Sequence, residues 1–145
     1  MSDEYGNSGY SVSDYDAYVL DDAVSVLVTQ TSGGTDVPSH DYYAYSFSRD
    51  DGHLLNYEEA CTIAGTTVEE AGETVKKNLR ESTLKDFSDA PDIDSYIEQS
   101  IEEYESSVSD GTIKFVLHDM GLLDVVVKKH FPAGGGSANE VIPAR

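Results

Sequence analysis

Ile93, Ile97, Ile101, Tyr104 and Val108 recur at steps of four, four, three and four, which draws one apolar stripe down a helix. Pro91 and Asp92 mark its start, with Asp92 placed to cap the first amides, and Gly111 marks its end. The opposite side carries Glu98, Glu102, Glu103 and Glu105, which reads as a solvated face. On both sides of this helix the period falls to two. Val24, Val26 and Val28 alternate with Ser25 and Thr29, predicting a half-buried strand with its β-branched side chains on the inner face. Tyr43, Tyr45 and Phe47 share one face of the next strand, with Tyr42, Ala44 and Ser46 on the other. Ile113, Phe115 and Leu117, then Leu123, Val125 and Val127, repeat the alternation around Asp119-Met120-Gly121, a segment short enough for a hairpin. Asn56 with Glu59, and Thr66 with Glu69 or Thr67 with Glu70, have capping-box spacing for two further helices. In the longer of these, Val68, Val75 and Leu79 fall near one side. The class is α+β: an antiparallel sheet of about four to five strands, with a two- to three-helix insert before a closing β-hairpin.

At 145 residues the chain is long enough to bury a core. Residues 1–16, rich in Ser, Gly, Asp and Tyr, read as a loose acidic N-terminal arm with a candidate strand start near Tyr15, and residues 17–143 as a single α+β binding domain.

Charge restricts the partners. Against 28 Asp and Glu stand 9 Lys and Arg, a formal net charge of −19, and no Lys or Arg precedes Arg49. Such a field repels nucleic acid and anionic lipid and attracts cations over a Debye length of about 8–10 Å. Phosphate-neutralising binding to nucleic acid needs clustered Lys and Arg. The small basic groups are Lys76, Lys77, Arg80 and Lys85, expected to be balanced by Glu69, Glu70, Glu73 and Glu81, and the pair Lys128-Lys129. Cys61 is the single cysteine, so no internal disulfide forms; in its helical surroundings it reads as a small buried residue. No apolar run approaches the roughly 18–20 residues that span a bilayer. The first residues, Met1-Ser2-Asp3-Glu4-Tyr5, lack the basic and apolar regions of a signal peptide. The expectation is either a cytoplasmic protein or a soluble piece of a longer exported chain.

Catalysis needs converging side chains, and few patterns supply them. His40, His53, His118 and His130 are scattered, with no HExxH pair or other tight metal-ligand spacing. Asp92 and Asp94 lack the glycine and closing glutamate of a calcium loop, no G-x-S-x-G elbow occurs, and Gly134 to Gly136 lacks the Lys of a P-loop. The sequence predicts a protein that is not an enzyme, with no cofactor and no metal.

Tyr45-Ser46-Phe47-Ser48-Arg49-Asp50-Asp51-Gly52-His53-Leu54-Leu55 resembles the strand, Asp-x-x-x-Gly turn and following start of one Gram-positive envelope domain. Phe115 to Val127 is similar to its aromatic strand, turn and next strand, and Phe131 to Gly136 with Glu140 to Pro143 to its Gly-rich segment and last strand. This is the extracytoplasmic domain of the RsiV-like anti-sigma factors, which also accompanies some peptidoglycan deacetylases. The resemblance spans about residues 17–143. It implies a non-catalytic binding or sensor domain at the cell surface, belonging to a membrane-anchored or exported parent. Members of the anti-sigma branch sense lysozyme by binding it. The family's Gly-Gly-Ala-His stretch is replaced here by Ser32-Gly33-Gly34-Thr35, with His40 displaced beyond Pro38.

The expected partner is therefore a basic, lysozyme-like protein or a peptidoglycan component, with no nucleic acid and no membrane contact by this fragment. Loops on a sheet commonly carry recognition. The candidate contact residues are Gly33, Gly34, Thr35, Asp36 and His40, with Tyr42 and Tyr43 beside them, then His118, Asp119 and Met120 in the hairpin, and His130 and Phe131 before the Gly-rich segment. The competing reading is a cytoplasmic acidic inhibitor or nucleic-acid mimic that blocks a basic groove, which requires a row of carboxylates along one face.

Overall fold

The computed structural model describes residues 10–33, 39–132 and 136–145. In chain order these form β1 (Tyr10–Val19), β2 (Ala23–Gly33), β3 (Ser39–Ser48), α1 (Tyr57–Ile63), α2 (Val68–Phe87), α3 (Ile93–Asp110), β4 (Lys114–His118), β5 (Leu122–His130) and β6 (Ser137–Pro143). The fold is α+β, with three helices between β3 and β4. Its strands form two antiparallel sheets, β1-β2-β3 and β4-β5-β6, rather than one sheet of four to five strands.

The division has a physical cause. The Leu117 N–H donates to Ser25 Oγ of β2 at 2.9 Å and His118 meets Tyr18 of β1, both on the same side of the first sheet. Strand β4 thus crosses the inner face of the first sheet and reserves its own ladder for β5. The N-terminal expectation also changes. Residues 10–16 are strand, not loose arm, because Tyr10 to Val19 pair without interruption from Gly33 back to Val24. The remainder of that arm, residues 1–9, lies outside the described residues.

The core joins α2 and α3 to the second sheet. Val75, Leu79, Ile97, Leu117, Leu123 and Val125 are fully enclosed, and Ile101 and Tyr104 extend the stripe on α3. Asn56 and Glu59 complete a capping box on α1, and Thr67 accepts the Glu70 amide at the start of α2. Asp92 does not cap α3 with its side chain. It takes a left-handed conformation (φ 58°), and its backbone carbonyl accepts the Ser95 amide instead. Gly111, also left-handed, closes the helix with an N–H to the Ser107 carbonyl.

Two of the four basic residues of α2, Lys76 and Arg80, find partners mainly across the helix pair. Lys76 meets Glu105 at 3.0 Å, and Arg80 meets Asp94 at 3.3 Å and Glu98 at 3.8 Å, whereas Glu73 of α2 itself lies 4.0 Å from Lys76. The acidic face of α3 is therefore partly a clamp on α2. Lys129 departs further from its sequence reading. It continues the inward alternation of Leu123, Val125 and Val127 and is itself buried. Its ammonium donates to Ser82 Oγ at 2.7 Å and meets Asp86 and Glu140 at 3.1 and 3.0 Å.

A candidate protein-docking face

The first sheet is turned the opposite way from its sequence reading. Residues directly paired in an antiparallel sheet share a face. The register therefore sets Val19, Val24 and Phe47 in one row, Ala17, Val26 and Tyr45 in the next, and Tyr15, Val28 and Tyr43 in a third. A bridge from Phe47 to Leu54 widens the first row. This large apolar face points to solvent: Val19 is 69 % exposed, Tyr15 68 %, Leu54 60 % and Tyr45 49 %. Where the core is covered, the inner face consists of Ala23, Ser25, Leu27, Ala44 and Ser46, and towards its margins of Tyr18, Asp16 and Asp14 on β1 and Tyr42 on β3.

Close crossing explains the inversion. Ser25 and Ser46 share a 2.6 Å hydrogen bond, and Ser25 also receives the amide of Leu117. Valine at Ser25 would fill that space and leave a buried N–H unpaired, a cost of about 1–3 kcal/mol. Small polar residues therefore face the core so that a backbone can pass beneath them.

The outward rows contain no charged side chain. At ordinary strand spacings their area is on the order of 300 Å², comparable to the largest apolar patch on a typical monomer, a patch that is often functional. Around them lie Asp21 and Asp22 in the β1–β2 turn, Asp41 in the next outward row on β3, and Asp50 and Asp51 beside Arg49 in the turn after β3. Asp14 and Asp16 of β1 pair with Thr29 and Leu27 and belong to the opposite face. Lys114 approaches one margin, with its ammonium 5.1 Å from the Tyr43 ring centroid. The arrangement is an apolar centre with an acidic rim.

The residues singled out from sequence do not gather into one site. Gly34, Thr35 and Asp36 lie outside the described residues. Gly33 ends β2 opposite Tyr10. His40 Nδ1 lies 3.0 Å from Thr31 Oγ1, and its carbonyl accepts from Asn139 of β6 at 3.1 Å. Tyr42 faces inward and half-buried, with loss of water, then the Glu140 charge, raising its phenol pKa. Tyr43 alone of these residues belongs to the outward rows.

His118 is on the β1 side, its ring 5.8 Å from that of Tyr18. Its Nε2 comes within 3.0 Å of Asp124 Oδ2 but without hydrogen-bond alignment, and has no other partner among the described residues. Burial chiefly, then Asp16, Asp119 and Asp124, push the Tyr18 phenol up. Met120 projects from a left-handed turn next to Asp119. His130 donates its amide to Ser100 Oγ at 2.9 Å and meets Glu103 at 3.3 Å, while Phe131 packs on Phe87. His118, His130 and Phe131 are joints between elements, whereas Met120 is almost fully exposed. A signal for the docking face existed in the sequence: two successive strands each pair a large apolar side with one that holds the small residues Ala23, Ser25, Ala44 and Ser46 beside Leu27 and Tyr42. The pattern does not say which side turns inward.

Three further titratable groups lie in the core. Cys61 is buried against Tyr57, and loss of water pushes its thiol up to about 11. The Tyr57 and Tyr104 hydroxyls meet at 3.0 Å in the core, and burial raises both phenols. Among the described residues, no three His, Cys, Asp or Glu side chains are arranged to hold a metal ion, and no helix is long and apolar enough to cross a membrane.

His53 bridges two carboxylates, with Nδ1 facing Asp51 and Nε2 2.8 Å from Glu59. Asp51 first, then Glu59, raise the imidazole pKa. Asp51 is held low chiefly by His53, and Glu59 by the Asn56 amide and then His53. The histidine's contribution to stability is fully present below its ordinary value of about 6.5 and is lost as pH rises through the higher folded value. The carboxylates contribute above about pH 4 and lose that contribution as pH falls through their lower folded values. The Tm advantage over His53→Gln is therefore expected at about pH 6 and should shrink towards about pH 8. A difference constant across that range would disprove the coupling.

No protein-family model matches the chain, and no curated protein matches it.

Proposed function

We propose that the protein is a non-catalytic binding domain that recognises a cationic protein through the outward face of its first sheet. The observation that carries this reading is an uncharged apolar face on a chain of net charge −19. A second copy would bring the same negative charge against it, so charge complementarity favours a partner with an apolar patch ringed by Lys and Arg. The resemblance to the extracytoplasmic RsiV-like domain supports placing this at a Gram-positive cell surface, with lysozyme as the first partner to test. A peptidoglycan component is the other ligand in this reading, with Tyr15, Tyr43 and Tyr45 as stacking surfaces.

The acidic-mimic reading needs its carboxylates in one row. Here they occur on β1, β3, β5 and β6 and on all three helices, while the most exposed face of the first sheet is apolar. The deciding experiment is calorimetry with a lysozyme at several salt concentrations and temperatures. Binding is expected to weaken with salt, from the acidic rim, and to show a negative heat-capacity change, from the apolar centre. Absence of binding, or binding indifferent to salt, would exclude the lysozyme version.

A further inference from the structure

Strand β1 forms one edge of the first sheet, and among the described residues nothing pairs with its outer side. It is ten residues long, about 33 Å of extended chain. Its register with β2 runs from Tyr10 to Val19 without a bulge, and it contains neither proline nor lysine. Proline, lysine and bulges are common devices that blunt an edge; the charges β1 does carry, Asp14 and Asp16 on its inner side, deter acidic strands and not basic ones.

The direction of its backbone groups follows from the hairpin. Leu20 N–H donates to the Ala23 carbonyl at 2.8 Å. Bonded pairs alternate in an antiparallel ladder, so Tyr18, Asp16 and Asp14 bond across to β2. The N–H and C=O groups of Ser13, Tyr15, Ala17 and Val19 point to the outer edge. Tyr15 agrees: its N–H donates to Asp14 Oδ1 at 2.9 Å rather than to β2.

We infer that this edge accepts an extended segment of alternating basic and apolar residues, which adds as a fourth strand to the first sheet. Main-chain bonds to Ser13, Tyr15, Ala17 and Val19 supply the affinity, as in other cases of strand addition. One set of side chains from the incoming strand continues the apolar rows beside Tyr15, Ala17 and Val19. The alternate set lies alongside Asp14 and Asp16 and must be Lys or Arg. An incoming carbonyl takes over the Tyr15 amide and releases the Asp14 carboxylate for that pairing. The same two acids oppose pairing between copies of β1, which would bring carboxylates together. This inference rests on the cationic-partner reading and adds to it the form of the ligand.

The test uses a synthetic peptide of about ten residues alternating Lys and Val, an isomer with its lysines and valines in separate blocks, and the alternating peptide N-methylated at every second residue. Titration should find the alternating peptide at least tenfold tighter than either control, with hydrogen exchange slowed at the Tyr15 and Ala17 amides. Ala17→Pro removes an outward N–H without touching the β2 ladder and should weaken binding at least tenfold. Replacing Asp14 and Asp16 together by Asn should do the same and flatten the salt dependence. Equal binding of the alternating and block peptides, or wild-type affinity in Ala17→Pro, would overturn strand addition. If lysozyme binds and the alternating peptide does not, the edge proposal alone falls; if neither binds, the cationic-partner reading falls with it.

Discussion

Tyr45→Lys should lower affinity for the cationic partner by roughly 30-fold or more, about 2 kcal/mol, while leaving the fold intact. Tyr45 stands beside Val26 in the middle row of the outward face, half-exposed. It lies on the edge strand β3 at one end of that row, and a tyrosine that a partner buries on an apolar patch is a usual form of interface hot spot. Lysine there removes the ring and places a like charge against a basic partner. Stability should change by no more than about 0.5 kcal/mol, because the side chain points to solvent rather than into the core. Calorimetric titration and a thermal melt of the same sample separate the two effects. Unchanged affinity would remove this face from the binding site, and a large fall in Tm would mean that the ring supports the sheet.

Lys129→Ala is expected to lose about 2–3 kcal/mol of stability in denaturant unfolding. Breaking a buried ion pair usually costs about 3–5 kcal/mol, because the remaining charge stays buried. Here Asp86 and Glu140 are substantially exposed and rehydrate once the ammonium is gone, so the loss is smaller. The rest comes from Ser82, which loses a 2.7 Å bond, and from the space left by the buried stem. Lys129→Met keeps the stem and should retain most of the stability, within about 1.5 kcal/mol of wild type. A loss below about 0.5 kcal/mol for the alanine variant would show that the network contributes little. Equal losses for both variants would assign the effect to the charge alone.

The periodic segments were legible because each carries its reason locally. The apolar repeat at Ile97, Ile101 and Tyr104 is buried as a helical stripe, Asn56 and Glu59 form a complete box, and Gly111 closes α3 where a left-handed residue is needed. The Asp119-Met120-Gly121 turn joins its two strands as expected. The failures share another character. Asp92 had the composition of a cap, but its left-handed backbone turned the side chain to no capping bond. Lys128 and Lys129 look like one basic pair in the sequence; the alternation of Leu123, Val125 and Val127 sets Lys129 on the inward side, and only β6 and the approach of α2 supply the partners that let its charge stay there. The candidate contacts at His40, His118 and His130 were chosen as loop residues, and most prove to join one element to another.

What the chain determined by itself was the period of each segment, the positions of its caps and turns, and the sign of its field, because these depend on neighbours in sequence and on total charge. Only the tertiary structure decided which side of the first sheet would meet the core. Alternation defines two faces and is symmetric between them. The crossing of β4 broke that symmetry: its backbone needed the small side chains of Ser25, Ala44 and Ser46 beneath the sheet, and the valines and aromatic rings were left facing water.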